Sequence, residues 1–130
     1  MAQLSRAALQ LSWQKCGDDG HWCDFLKLDL SGDPLANGGV YVIWSEDAKR
    51  ARKETVWVGQ GKPIADCIAR HRKEPAVIKH ATAGRVLRVT WAKVAKELRG
   101  GVEHYLGNAL GPVEGHRWSD DEPVPVNLPW

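Results

Sequence analysis

The sequence predicts an α+β fold in which a small central three-stranded antiparallel sheet is flanked by helices. Three runs rich in β-branched and aromatic residues have the length of strands: VYVIW (40–44), TVWVG (55–59) and RVLRVTWA (85–92). The segments that follow the second and third runs place apolar residues at helical spacing. An N-terminal helix and strand and an extended C-terminal tail complete the expected architecture.

The length and composition indicate one globular domain over residues 1–130. The chain is 43% hydrophobic and 26% charged, which excludes disordered and collagen-like classes. No apolar run approaches the ~18 residues of a membrane span. The start MAQLSRAALQLSW has no signal-peptide core. We therefore expect a cytoplasmic protein with no membrane partner.

The first two predicted strands form a hairpin. VYVIW follows the turn sequence Asn37-Gly38-Gly39, and about ten polar residues separate it from TVWVG. Several of these polar residues are basic. The pattern predicts an antiparallel hairpin with a long, basic connection.

Two helices follow from the spacing of apolar residues. Ile64, Cys67, Ile68 and His71 share one helical face, and that helix begins near Pro63 and ends before Pro75. Later, Val102, Leu106 and Leu110 form a second helical stripe in VEHYLGNAL, directly after the pair Gly100-Gly101.

The two ends of the chain lie outside these elements. Residues 3–15 have apolar residues at helical spacing with Gly17 as a stop, and the alternation at Leu26, Leu28 and Leu30 predicts a half-buried strand. From Gly111 onward the sequence is Pro-rich, which favours an extended tail. The tail can pack back onto the domain through four apolar residues: Trp118, Val126, Leu128 and Trp130.

The three cysteines, Cys16, Cys23 and Cys67, are interpreted as free thiols. Their number is odd and no secretion signal precedes them, which is typical of a reducing compartment. Zinc binding by Cys16, His21 and Cys23 in KCGDDGHWC is the alternative. These spacings are not CxxC, and no second ligand pair follows, so we expect packed thiols.

The order of these motifs resembles the GIY-YIG nuclease superfamily over residues 37–115. The first and second strands carry counterparts of that family's two tripeptide motifs, and the helices and third strand carry the remaining matches. In chain order these matches are Gly39-Val40-Tyr41, Trp57-Val58-Gly59, His71, Trp91, Glu103 and Leu110-Gly111-Pro112. The resemblance leaves residues 1–36 as an N-terminal extension and residues 116–130 as a Pro-rich tail.

The resemblance implies a metal-dependent endonuclease that hydrolyses phosphodiester bonds. It places Tyr41, Trp57, Arg70, His71 and Glu103 in the catalytic site. Glu103 matches the family's metal ligand, which holds one divalent cation, Mg²⁺ or Mn²⁺. A single carboxylate suits such a cation because water and phosphate oxygens complete its coordination.

Two residues depart from the family pattern at chemically important positions. Trp57 stands where the family has its second Tyr, and an indole can only donate a hydrogen bond, whereas a phenol can relay a proton. Cys67 stands where the family has its catalytic Arg. Arg70, one turn later on the same helix, is the candidate replacement, and His71 is a candidate base or orienter.

The family's later Asn is also missing from its usual place. That Asn stands three residues after a Pro, and Gly115 stands at that distance from Pro112. Asn127 and Asn108 are the two asparagines nearby that can substitute for it.

The resemblance implies nucleic acid, most readily DNA, as the partner, and the charge distribution is compatible with a positive patch on one face. The net charge is only +2, but basic residues concentrate in the middle of the chain. Seven of them are candidates for contacts to the phosphate backbone: Lys49, Arg50, Arg52, Lys53, Lys62, Arg72 and Lys73.

Two other functions remain open at this level. One is a nucleic-acid-binding module on the same fold without cleavage. The other is a protein-interaction domain, because seven Trp against two Tyr and one Phe is an unusual balance and exposed Trp favours interfaces. The tryptophans outside residues 37–115 (Trp13, Trp22, Trp118 and Trp130) are expected to pack onto the domain, a protein partner or a second copy.

Overall fold

A computed structural model describes residues 8–16, 20–47, 52–82, 84–115 and 118–130. These residues form strands, short helices and one longer helix in the order β1 (Cys23–Asp24), a 3₁₀ turn (Asp33–Ala36), β2 (Gly39–Asp47), β3 (Lys53–Gly61), α1 (Ile64–His71), α2 (Pro75–Ile78), β4 (Arg85–Lys93) and α3 (Lys96–Leu110). The α+β class predicted from the sequence is confirmed.

The sheet has four antiparallel strands in the order β1-β4-β2-β3, not the predicted three. The additional strand, Cys23–Asp24, pairs with the outer edge of β4. The predicted hairpin is confirmed as β2 and β3, but its connection is shorter because the strands continue to Asp47 and from Lys53. In the central register, Tyr41 lies opposite Gly59 on β3 and Trp91 on β4.

Each face of the sheet carries its own hydrophobic core. The α1 face packs against α1, α2 and the 3₁₀ turn, and its buried side chains include Phe25, Tyr41, Ile43, Ile68, Val89 and Trp91. The α3 face packs against α3 and both chain ends, and its buried side chains include Val42, Trp44, Val58, Val102, Leu106 and Val126. The central strand β2 supplies residues to both cores because successive side chains point to opposite faces.

The helix predicted after Pro63 is confirmed as α1. All four residues of its predicted apolar face are buried, His71 among them. The sequence did not indicate α2, a single turn that begins at Pro75. None of the described helices is both long enough and apolar enough to cross a membrane.

The helix α3 begins at Lys96, six residues before the predicted start at Val102. The Gly100-Gly101 pair therefore lies inside the helix, although glycine is a poor helix former. Both glycines are buried under the C-terminal tail. Tertiary packing against the tail thus overrides the local preference.

The predicted N-terminal helix over residues 3–15 is wrong for its described part, residues 8–15, which are extended. The backbone N–H of Leu9 donates to the carbonyl of Pro125, and that of Leu11 donates to the side chain of Asn127. These residues thus bond with the other end of the chain instead of with one another. Residues 3–7 lie outside the described residues.

The predicted strand over Leu26, Leu28 and Leu30 is also wrong, because a turn occupies this segment. The Asp24 carboxylate accepts hydrogen bonds from the backbone N–H groups of Leu26 and Lys27 at 2.9 and 3.1 Å. Such a local side-chain cap competes with strand pairing and folds the chain back on itself. Leu26 is left 47% exposed.

The prediction of three free thiols is wrong for two of them. Cys16 and Cys23 form a disulfide with a Cα–Cα distance of 4.9 Å. Neither sulfur is then a thiolate, so the zinc alternative at Cys16, His21 and Cys23 is also excluded for this structure. Cys67 is a free, buried cysteine.

The predicted packing of the chain ends onto the domain is confirmed. Trp22 and Trp130 both contact Trp44, with ring centroids 5.3 and 4.5 Å away. Trp118 lies against Gly107 of α3, and Val126 is 3% exposed. Leu128 lies at the surface, 37% exposed.

Candidate active site

Three side chains form a hydrogen-bonded chain beneath α1. The hydroxyl of Tyr41, on β2, lies 2.7 Å from Nε2 of His71, the last residue of α1. The other ring nitrogen of His71, Nδ1, contacts the carboxylate of Glu74 in the turn that follows. Because a carboxylate accepts, Nδ1 carries the proton and Nε2 accepts the bond from the Tyr41 hydroxyl, a tautomer assigned from this network.

The Tyr41 and His71 end of this hydrogen-bonded chain of side chains is buried. Tyr41 is 1% exposed and His71 is 0% exposed, whereas the Glu74 side chain is 39% exposed. Burial lowers the pKa of His71 despite the opposing effect of Glu74, so the imidazole is neutral at pH 7. Burial also raises the pKa of Tyr41 well above its usual value, which keeps the phenol protonated.

Gly59 makes room for the Tyr41 hydroxyl. A side chain at Gly59 would collide with the end of the Tyr41 ring, which lies across the strand pair from it. The glycine is therefore required by a close approach. This contact gives a steric reason for the Gly in Trp57-Val58-Gly59.

Cys67 and Arg70 lie beside the Tyr41 hydroxyl. Burial raises the pKa of the Cys67 thiol, against the lowering effects of the nearby Arg70 charge and of a hydrogen bond with Tyr41. A buried thiol with a raised pKa is a poor nucleophile. Arg70 is exposed, and its positive charge acts on Tyr41, Cys67 and His71. An exposed guanidinium next to this buried chain is positioned to meet an anion.

Trp57 covers the His71 ring. The two ring centroids are 4.6 Å apart, and Gly115 packs against the six-membered ring of the Trp57 indole. Trp57 is half-buried. It therefore acts as a wall of the site, and its position does not give it the proton-relay role that the family's Tyr has.

Glu103 reaches the site from α3, on the other side of the sheet. It is 9% exposed, and its Oε1 accepts hydrogen bonds from the Gln60 side chain at 3.2 Å and from the Ser119 backbone N–H at 2.8 Å. Its negative charge contributes to the raised pKa of Tyr41. The described contacts thus join Tyr41 to His71, whereas those of Glu103 are to Gln60 and Ser119.

Glu103 has the chemistry needed to hold a hydrated divalent cation. Its carboxylate is anchored through Oε1 and presents a second oxygen, Oε2. Within the described ranges, no group of three or more His, Cys, Asp and Glu side chains is arranged to hold a metal ion. This donor set fits Mg²⁺, which commonly binds through one carboxylate together with waters and substrate phosphates.

The predicted phosphate-binding residues divide into two kinds. Arg52, Lys62 and Lys73 are exposed, whereas the Lys53 side chain is 26% exposed and its Nζ lies 3.9 Å from Oε1 of Glu46. Arg72 is not available to a phosphate, because its guanidinium donates to the carbonyl oxygens of Phe25 and Leu28 at 2.9 and 2.6 Å and holds that turn. The remaining two, Lys49 and Arg50, lie outside the described residues.

Three residues of the site were missed by sequence reasoning. Glu74 follows His71 by three residues, so the i, i+3 spacing could have found it. Gln60 had a weaker signal, since it lies next to Gly59 in the predicted strand. Ser119 contributes only its backbone N–H from a Pro-rich tail, and no sequence pattern indicates such a contact.

Neither candidate for the family's Asn joins the site by a described contact. The side chain of Asn127 donates to the carbonyl of Leu11 and accepts from its N–H, so it links the two chain ends. Asn108 is exposed on α3. Both positions therefore differ in role from the family's Asn.

Comparisons with protein-family models, curated proteins and solved structures gave no match.

Proposed function

We propose that the chain is a metal-dependent endonuclease of the GIY-YIG type that hydrolyses phosphodiester bonds in nucleic acid. One observation carries the proposal: the Tyr41 hydroxyl bonds to the buried His71, which contacts Glu74, and Arg70 is exposed on the same helix as His71. A proton acceptor, a cation for phosphate and a carboxylate for a metal are the groups that phosphodiester hydrolysis needs.

Tyr41 and His71 move the proton in this mechanism. The attacking water forms a bond to phosphorus while the bond from phosphorus to the leaving oxygen breaks. The water proton passes to the Tyr41 oxygen as the Tyr41 proton passes to Nε2 of His71, and the leaving oxygen takes a proton from solvent. Because Tyr41 is 1% exposed, this step requires the attacking water to enter beside its hydroxyl when the substrate is bound. Glu74 stabilises the imidazolium that forms, since it accepts from Nδ1.

Arg70 and Glu103 are the residues that stabilise the negative charge developing on the phosphate, Arg70 directly and Glu103 through the metal ion. Arg70 replaces the family's Arg, which Cys67 displaces, and binds a phosphate oxygen from the exposed side of α1. Glu103 holds the Mg²⁺ or Mn²⁺ ion. The chemistry that this ion supplies when bound is stabilisation of negative charge on the phosphate oxygens.

The exposed basic residues supply the wider contact with the nucleic-acid backbone. Arg52 directly precedes β3, Lys53 begins that strand, and Lys62 lies between β3 and α1. Together with Lys73 they give affinity without sequence information, so binding is expected to weaken steeply as salt increases.

A binding module without cleavage is the second candidate, and the packing of Trp57 favours it. In the position of a family Tyr, this indole covers His71 and offers no hydroxyl to the reaction. The two candidates share the fold and the phosphate contacts and differ only in whether Tyr41 and Glu103 act on the bound strand.

The test compares Glu103→Gln with Glu97→Gln. Glu97 lies exposed in the first turn of the same helix, so the pair matches in chemistry and differs in position. Purified proteins are incubated with supercoiled plasmid and with labelled DNA and RNA oligonucleotides in Mg²⁺ or Mn²⁺. We expect Glu103→Gln to lower the cleavage rate about 100- to 1,000-fold, by analogy with loss of one transition-state contact, and Glu97→Gln to have no effect.

The other outcomes separate the alternatives. Cleavage that persists unchanged in Glu103→Gln indicates a contaminating nuclease and contradicts the proposal. Salt-sensitive binding of the wild-type protein with no cleavage supports the binding module. Binding of neither DNA nor RNA rejects both candidates and leaves the protein-interaction domain.

A further inference from the structure

The C-terminal tail contacts the candidate metal ligand directly. The backbone N–H of Ser119 donates to Oε1 of Glu103 at 2.8 Å, across 16 residues of sequence. The same oxygen, Oε1, also accepts a hydrogen bond from the Gln60 side chain. Two donors on one carboxylate oxygen fix the orientation of the other oxygen, as outer hydrogen bonds do for metal-binding carboxylates.

Three glycines on α3 leave room for the tail to pack closely against the helix. Added side-chain atoms at Gly100, Gly101 or Gly107 would collide with the tail, respectively at Asp121, Val124 and the ring of Trp118. All three glycines are buried. They explain why a helix carries residues of such low helix propensity on this side.

Hydrogen bonds fix the register of the tail on this surface of α3. The N–H of Val124 donates to the carbonyl of Gly101 at 2.9 Å, and Nδ1 of His104 donates to the carbonyl of Asp121 at 2.7 Å. The Ser119 hydroxyl accepts from the N–H of Asp121 at 3.0 Å. These bonds hold the N–H of Ser119 in place. Its contact with Glu103 is therefore part of an ordered packing of the tail on α3.

We propose that residues 118–124 are a working part of the site, in which the Ser119 N–H is a positioning group for Glu103. It holds Oε1 so that Oε2 faces the divalent cation. This inference rests on the proposed function, because it assigns the cation to Glu103. It places the boundary of the functional unit beyond residue 115, where the family resemblance ends.

The test is Ser119→Pro, which removes the N–H, against Ser119→Ala, which keeps it and removes only the hydroxyl. Full-length proteins are titrated with Mn²⁺ by calorimetry, and the ¹³C NMR signal of the Glu103 carboxyl, assigned with Glu103→Gln, is compared between the variants. We expect Ser119→Pro to weaken Mn²⁺ binding about 10- to 100-fold. It also moves the carboxyl signal of Glu103, because the hydrogen bond from Ser119 to Oε1 is lost. Ser119→Ala leaves both quantities near their wild-type values.

A second variant covers the case in which Ser119→Pro does not fold. Gly107→Ala displaces Trp118 and with it the tail, and Asn108→Ala, its exposed neighbour on α3, is the control. We expect Gly107→Ala to weaken Mn²⁺ binding in the same direction and Asn108→Ala to leave it unchanged.

Three results overturn the inference. Folded Ser119→Pro or Gly107→Ala protein with wild-type Mn²⁺ affinity and an unchanged Glu103 carboxyl signal reduces the tail to a packing element. Tighter Mn²⁺ binding in either variant makes the tail an inhibitory cover. Wild-type protein that binds no Mn²⁺ contradicts the proposed function and the assignment of Oε2, and the Glu103 carboxyl signal of the variants then still reports whether Ser119 acts on Glu103.

Discussion

The α1 face and the α3 face of the sheet are built from different parts of the chain. On the α1 face, the hydrogen-bonded groups Tyr41, His71 and Glu74 all come from a span of 34 residues, and they lie on a regular strand, a helix and the turn after it. On the α3 face, the segments from 8 to 16 and from 118 to 130 complete the core, and some of their contacts join residues 116 apart in sequence.

The two faces therefore hold their functional groups in different ways. The α1 face fixes its polar chain through the packing of α1 against the sheet. The α3 face fixes Glu103 through Gln60 and through the tail. We therefore expect changes on the α3 face to affect global stability and Glu103 together, and changes on the α1 face to be more local.

The largest effect is expected for Trp44→Ala, which tests whether the α3 face dominates stability. Trp44 is 0% exposed, and its ring packs between Trp22 and Trp130 from the two chain ends. Truncation leaves a large cavity and costs about 3–5 kcal/mol in the free energy of unfolding. Urea denaturation measures this cost. The control is Trp57→Ala on the α1 face, where the half-buried ring should cost clearly less. Equal losses would break the contrast between the faces.

A smaller effect is expected for Asn127→Ala, which isolates the link between the chain ends. The Asn127 side chain accepts from the N–H of Leu11 at 2.6 Å and donates to its carbonyl at 3.0 Å. Removing both bonds should cost about 1–3 kcal/mol, since partly buried backbone groups lose their partners. Thermal unfolding gives the measurement, with exposed Asn108→Ala as the matched control. If both variants melt alike, the Asn127 side chain contributes nothing to the link between the ends, which then depends on apolar packing and on bonds such as that from Leu9 to Pro125.

The same contrast explains what the sequence could predict. The strands at 40–44, 55–59 and 85–92 and the buried face of α1 have patterns that agree with their surroundings, and these predictions were confirmed. The predicted helix over 3–15 is wrong for residues 8–15, because the backbone N–H groups of Leu9 and Leu11 donate to the Pro125 carbonyl and the Asn127 side chain in the tail. Helical spacing of apolar residues cannot report on a partner so distant in sequence.

The candidate site divides in the same way. Tyr41 and His71 were named from motifs on regular elements, and their side chains meet at 2.7 Å. Arg72 was named from its charge alone, and its guanidinium instead bonds two backbone carbonyls. Ser119 was not named at all, because its contribution is a backbone N–H that depends on glycines in α3. Charge and motif order thus identify groups that act through side chains on regular elements, and they miss groups that act through tertiary backbone contacts.

The smallest effect is a pH dependence that belongs to the α1 face. Burial lowers the pKa of His71 in the folded protein below the 6.5 of the unfolded chain. As the pH falls through about 6.5, the unfolded chain therefore binds a proton that the folded protein does not, and stability decreases. One such group changes the free energy of unfolding by at most about 1.4 kcal/mol per pH unit. This dependence ends once the pH is below the pKa that His71 has in the folded protein.

Denaturation at pH values between 5 and 7.5 can assign this slope to His71. We expect His71→Gln to flatten it, because Gln does not titrate, whereas His104→Gln should retain it, since His104 bonds at the surface of α3. The comparison uses slopes and not absolute stabilities, because replacing a fully buried side chain also changes packing. A slope that survives in His71→Gln would place the titrating group elsewhere. His71 would then not account for the pH dependence, and the two faces would still differ in how they hold their functional groups but not in their response to acid.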